Sequence, residues 1–285
     1  MEGDFTMETY GTGYIPSPID KRDLIMEGFL PLVLLSPDID YSNVEVQVRF
    51  QGKKQTCVGF ACAAMKEYQE LKERKRYTQL SPLYLYQKCK EIDNISDEGT
   101  HPRVAVRILQ KQGICEEHYC PYNTEESVPP KPGADENALQ YIIQAYAQLT
   151  NVPAMKRSLA VNGPFVAGLP ISMTDWLVLA SQQGGVIPMP KDKNSLKFGH
   201  AVCIVGYDDE KQVFKFQNSW GPKWGDKGFG YLSYNYMETY GKEAYGATDF
   251  ITDPGTLVKQ KENILLQRGE EFVVSRDEAD RYGIQ

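Results

Sequence analysis

The rhythm of apolar and polar positions changes twice along the 285 residues of this chain. Residues 1–45 carry Pro16, Pro18, Pro31 and Pro37 and little helical periodicity, which predicts an extended leader lying on the surface of the fold. Alternation at Val44, Val46 and Val48 predicts a short strand. From Cys57 to about Arg76 small and apolar residues come first and charges last, the pattern of a helix whose N-terminal half is buried. Its basic end, KERKR, suits the C-terminal pole of a helix and reads as a solvated face. Further helices are predicted over 82–92, over 103–112 up to Gly113, and around 134–149.

Beyond Val152 the texture turns to FVAGLPI, HAVCIVGYD, VFKFQNSW and GFGYLSY, β-rich runs separated by Gly, Asp and Lys turns, which predict a sheet or barrel lobe. The expected organisation is a leader over 1–45, a helical lobe over 46–150, a β lobe over 151–253 and an extension over 254–285. The order is α+β rather than βαβ. In the extension a Gly-centred hairpin at Arg268 and Gly269 precedes a helix over 275–282, with Ser275 as N-cap and Glu278 completing a capping box.

With 41% hydrophobic and 24% charged residues the chain has the apolar content of a globular protein rather than a disordered one. A net charge of −7 provides no basic footprint for nucleic acid or an anionic membrane. The longest apolar run, FLPLVLL, is well short of the roughly 18 residues of a membrane span. The first residues lack the charged start and apolar core of a signal peptide. Six cysteines without a CxxC pair argue against both a disulfide scaffold and a zinc site, so a reducing, intracellular compartment is expected, and no cofactor.

Of three histidines, His101 sits at a loop-to-helix junction, His118 in a polar loop, and His200 opens an apolar strand directly after Gly199. Eighteen residues further lies Asn218, in QNSWG. A general-base imidazole needs a group that fixes its tautomer, and an amide oxygen does this without adding charge. Cys57, at a helix start where the dipole lowers a thiol pKa, is the best-placed nucleophile, whereas Cys62 turns towards the core. Gln51 and the Cys57 N–H would together supply two donors to a developing oxyanion.

These residues resemble the papain family of cysteine peptidases. The resemblance rests on Gln51–Gly52 and the TCVGFA run, on GHAVxxVGY from Gly199, and on NSWGxxWGxxGF from Asn218, in one order over roughly 46 to 251. His200 falls within the family's usual separation of about 130 to 150 residues from the nucleophile, and Asn218 slightly beyond it. The resemblance implies a two-lobed fold with a helical lobe, a β-barrel-like lobe and a cleft between them. It implies Cys57 as nucleophile, His200 as base and acid, Asn218 as orienter, Gln51 as oxyanion donor and Trp220 as a shield over the Asn218–His200 bond. It further implies that Gly99, with Thr100, His101 and Pro102 beside it, lines the cleft wall where an extended polypeptide pairs.

The departures are informative. Lys54 and Val58 stand where the family usually has a cysteine and an aromatic residue, so the framework disulfides are missing, as in the bacterial, archaeal and viral branch. Thr100 replaces a common second glycine. Cys115 and Cys120 are expected as free thiols. Only about 45 residues precede the first motif, too few for the long inhibitory leader of the family, and they form either a surface strap or a plug in the cleft. The expected activity is peptide hydrolysis through a thioester. The rivals are a catalytically silent peptide-binding scaffold and a transpeptidase or deamidase using the same Cys–His pair.

Overall fold

The computed structural model describes residues 10–31 and 33–248. The hairpin and helix expected in the extension lie outside the described residues.

A long helix, α1 (Cys57–Arg74), is buried from Cys57 to Glu70. Its first turns can sit in the centre of the protein because Gly59, Ala61, Ala63 and Ala64 are small. A Cβ on Gly59 would come within 2.5 Å of the Pro82 carbonyl oxygen, so α2 (Pro82–Lys90) packs there at backbone distance. Ser81 caps α2 by accepting from the Tyr84 N–H at 3.0 Å, and Pro102 opens α3 (Pro102–Lys111), both ordinary start signals. The buried second half of α1 is ion-paired, Lys66 with Glu70 at 2.8 Å and Glu67 with Arg49 at 2.8 Å. Left-handed Lys75 ends the helix, its N–H returning to the Leu71 carbonyl.

Among the described residues seven antiparallel strands form one open sheet: β1 (Asp38–Asp40), β2 (Ala145–Gln148), β3 (Phe165–Ile171), β4 (Phe198–Asp208), β5 (Val213–Gln217), β6 (Phe229–Ser233) and β7 (Glu243–Thr248). The order is β2-β7-β3-β4-β5-β6. β1 pairs with the far end of β4, beyond the residues that β3 covers. Register partners share a face, so Val166, Cys203 and Tyr245 point to the α1 side, and Ala167, Val202 and Ala244 to the other. Both faces are covered, which is why β3 and β4 read as continuous apolar runs.

Two expectations are corrected. Residues 44–48 form no strand: Tyr41 and Val44 close a turn, Val44 N–H to Tyr41 O at 3.3 Å, and three alternating valines find no partner strand. The helix expected around 134–149 breaks into α4 (Ala134–Ala138), a 3-10 turn Leu139–Tyr141, and β2. Ile143, Ala145, Ala147 and Leu149 are buried at a spacing of two, and this period, with β7 available to pair, prevails over helical propensity. Helices also interrupt the β-rich half: α5 (Val152–Val161), a π-helical turn Thr174–Leu179 running into α6 (Ala180–Gln182), and α7 (Tyr234–Tyr240). Among the described residues no helix is long and apolar enough to cross a membrane.

Candidate active site

Cys57 is the first residue of α1 and wholly buried, its Sγ accepting the Ala201 N–H at 3.3 Å. Side chains alternate along β4, so Ala201 faces α1 while His200 turns to the other face, and α1 meets β4 where the two faces divide. His200 Nε2 lies 2.8 Å from Asn218 Oδ1. An amide oxygen only accepts, so Nε2 carries the proton and Nδ1 keeps its lone pair; Nδ1 is buried and has no hydrogen-bond partner in the described residues. Asn218 follows β5 directly, and its Oδ1 also accepts the Ser219 N–H at 2.8 Å, which orients the amide. The Trp220 ring stacks on the imidazole at 4.6 Å and Trp176 meets it edge-on at 5.8 Å, keeping water from the Asn218–His200 bond.

Gln51 is wholly buried and bound twice to the Asn218 loop: its N–H donates to the Ser219 carbonyl at 2.8 Å, and its Oε1 accepts from the Ser219 hydroxyl. Nε2 therefore points outward, donating to the Lys54 carbonyl at 2.6 Å and the Thr12 carbonyl at 3.3 Å. The Cys57 N–H donates to the same Thr12 oxygen at 3.4 Å. A carbonyl of the chain's own leader thus occupies the two-donor position.

From Gly11 to Ser17 the leader is held along its length. Gly11 N–H donates to Gly52 O at 2.7 Å, and Trp220 Nε1 donates to Gly11 O at 2.9 Å. Thr100 pairs as a parallel bridge with Tyr14, its N–H donating to Gly13 O at 3.0 Å and its carbonyl accepting from Ile15 at 3.1 Å. His101 Nδ1 lies 3.0 Å from Ile15 O. Gly99 has a φ of +96°, and a Cβ there would come within 2.7 Å of Gly13 O. Gly99, Thr100 and Trp220 therefore meet the leader, whereas Pro102 is buried as the first residue of α3.

One expectation about the thiol is reversed. Backbone N–H groups of Ala201, Val58 and Tyr14 favour the thiolate, but burial outweighs them and pushes the Cys57 pKa up to about 12. Burial likewise pulls His200 down to about 4, against the Asn218 bond that raises it. With Gly11–Ser17 in place the pair is an uncharged thiol and a neutral imidazole. All six cysteines, Cys115 and Cys120 included, are buried free thiols. Among the described residues no three His, Cys, Asp or Glu side chains gather in a metal-holding group.

Sequence reasoning missed Ser219, which tethers Gln51, and Trp176, which walls His200. Ser219 lay inside the NSWG run and was readable there, whereas nothing local marks Trp176, which the π-helical turn delivers from over twenty residues upstream.

A family model described as papain family cysteine protease matches residues 35–248. An uncharacterized peptidase C1-like protein of Acanthamoeba polyphaga mimivirus is 29% identical over 277 residues, covering 85% of this chain and 88% of that protein. Peptidase 1 of Euroglyphus maynei is 30% identical over 243 residues, covering 81% of this chain and 66% of that one. Among solved structures, xylellain, a cysteine protease from Xylella fastidiosa, is similar with a TM-score of 0.76 and 29% identity, covering 86% of this chain and 98% of that one.

Proposed function

Within the papain family of cysteine proteases, to which this chain belongs, members hydrolyse polypeptides, and we propose that here Cys57, His200, Asn218 and Gln51 carry the reaction. The observation that supports these roles is the Thr12 carbonyl oxygen, which accepts from both Gln51 Nε2 and the Cys57 N–H, the two donors a developing oxyanion needs.

In this reading His200 Nδ1 takes the Cys57 proton. The sulfur attacks the substrate carbonyl carbon, a C–S bond forms, and the C=O π pair moves onto oxygen, where Gln51 and the Cys57 N–H stabilise it. Collapse of this intermediate breaks the C–N bond, and the imidazolium gives its proton to the departing amine. Water then loses a proton to His200 and attacks the thioester, releasing the acid and returning the proton to sulfur. Asn218 holds the ring throughout without adding charge.

We further propose that the leader, 1–45, is a plug rather than a strap, its residues Gly11–Ser17 competing with substrate for one groove. A helical lobe over 46–150 and a β lobe over 151–253 then form the two walls. The test is a peptidyl electrophile of the epoxide class with mapping of the modified residue. Labelling at Cys57 that disappears in His200→Ala supports the roles, and labelling spread over the other five cysteines refutes them.

A further inference from the structure

The leader's Tyr14 occupies a pocket whose chemistry does not match it. Its ring lies against Gly168 on β3: a Cβ there would come within 2.3 Å of the ring, so the pocket exists because position 168 has no side chain. Gly168 pairs in register with Glu243 on β7, and antiparallel register partners project from the same face. The Glu243 side chain therefore stands beside the tyrosine ring. The tyrosine hydroxyl is buried and forms no hydrogen bond in the described residues, so the ring fills the space without using the carboxylate.

Glu243 is buried, and its bonds come largely from the leader. Oε1 accepts from Ser17 N–H at 3.2 Å and from the Ser17 hydroxyl at 3.1 Å; among the described residues Oε2 receives only the Tyr245 hydroxyl, at 3.4 Å. Arg103 is the nearby cation, and it is engaged by two further leader carboxylates, Asp20 at 3.6 Å and Asp23 at 3.3 Å. When substrate replaces the leader, Glu243 loses both Ser17 donors. A carboxylate left in an enclosed pocket with empty acceptor sites strongly favours a ligand that brings donors and positive charge.

We propose that Glu243 is a specificity-determining residue that selects a lysine or arginine side chain at the substrate position pairing with Thr100. This rests on the peptidase reading above. The aliphatic part of such a side chain lies over Gly168 as the Tyr14 ring does, and its cationic head reaches Glu243.

Internally quenched peptides, varied one position at a time among Arg, Lys, Phe and Leu, test this with the full chain. The expected result is one position at which Arg or Lys exceeds Phe in kcat/KM by roughly 10- to 100-fold, the contribution of a charge-assisted hydrogen bond. In Glu243→Gln that ratio collapses towards one. Equal rates for Arg and Phe in the unaltered chain, or a ratio unmoved by Glu243→Gln, would overturn the proposal, and Arg103 swinging onto Glu243 would produce the first of these. A second measurement needs no turnover: Tyr14→Lys should cost less melting temperature with Glu243 present than in the Glu243→Gln background. Equal losses in both backgrounds would also overturn it. Absence of both peptide cleavage and Cys57 labelling, in the full chain and also in Gly13→Val, where the leader is strained, would instead remove the peptidase reading, and this proposal with it.

Discussion

Gln51 and Ser219 grip each other twice, backbone N–H to carbonyl and hydroxyl to side-chain oxygen, across 168 residues of sequence. An unrestrained glutamine could rotate its amide and present oxygen to the oxyanion. With Oε1 held by the Ser219 hydroxyl, only Nε2 faces the groove.

Ser219→Ala should therefore lower kcat by about tenfold with little change in KM, and Gln51→Ala by about 10²- to 10³-fold. Steady-state kinetics on one peptide compare the two. The double variant should be no worse than Gln51→Ala alone, because the serine acts through the glutamine. Additive losses would mean that Ser219 acts independently.

Gly13 offers a way to unseat the leader without shortening it. Its φ is +117°, and a Cβ would lie 2.2–2.8 Å from Gln55 backbone atoms. Gly13→Val should lower the apparent KM for small peptides severalfold while kcat holds, because a strained leader competes less well. Removing residues 1–24 should act in the same direction. A shortened chain that melts earlier and is also less active would favour the strap.

The reactivity of Cys57 should depend on pH in two regimes. With the leader seated and the thiol pKa near 12, iodoacetamide labelling at pH 6 should be slow and rise with pH. In Gly13→Val, solvent and the His200 imidazole reach the sulfur, and labelling at pH 6 should accelerate. Mass-spectrometric rates at pH 6 and 9 on both proteins provide the comparison, and identical profiles would contradict leader shielding.

Burial raises the Glu243 carboxyl to about 7 from an ordinary 4.5, against the Ser17 bonds and Arg103 that lower it. A carboxyl raised on folding contributes stability that is fully present below pH 4.5 and lost as pH rises through 7. The stability of the natural chain relative to Glu243→Gln should thus fall across pH 4.5 to 7, by up to about 3 kcal/mol. Urea midpoints at the two ends measure it. A difference that stays flat would place the carboxyl in an ordinary, hydrated setting.

The sequence alone determined the elements whose signals are local: α1 with its small first turns, the proline-started α2 and α3, the apolar β3 and β4, and the run around Asn218. The roles proposed for Cys57, His200, Asn218 and Gln51 were suggested there because each sits at the edge of a segment with its own pattern. Only the tertiary structure decided the rest. Ala145–Gln148 become a strand because β7 offers a partner, and a chain-local pattern carries no information about distant partners. The Cys57 thiol is raised rather than lowered because desolvation by burial exceeds the pull of the backbone N–H groups. Glu243 meets Tyr14 only through the register of β7 on β3, a relationship between segments over seventy residues apart that no spacing along the chain records.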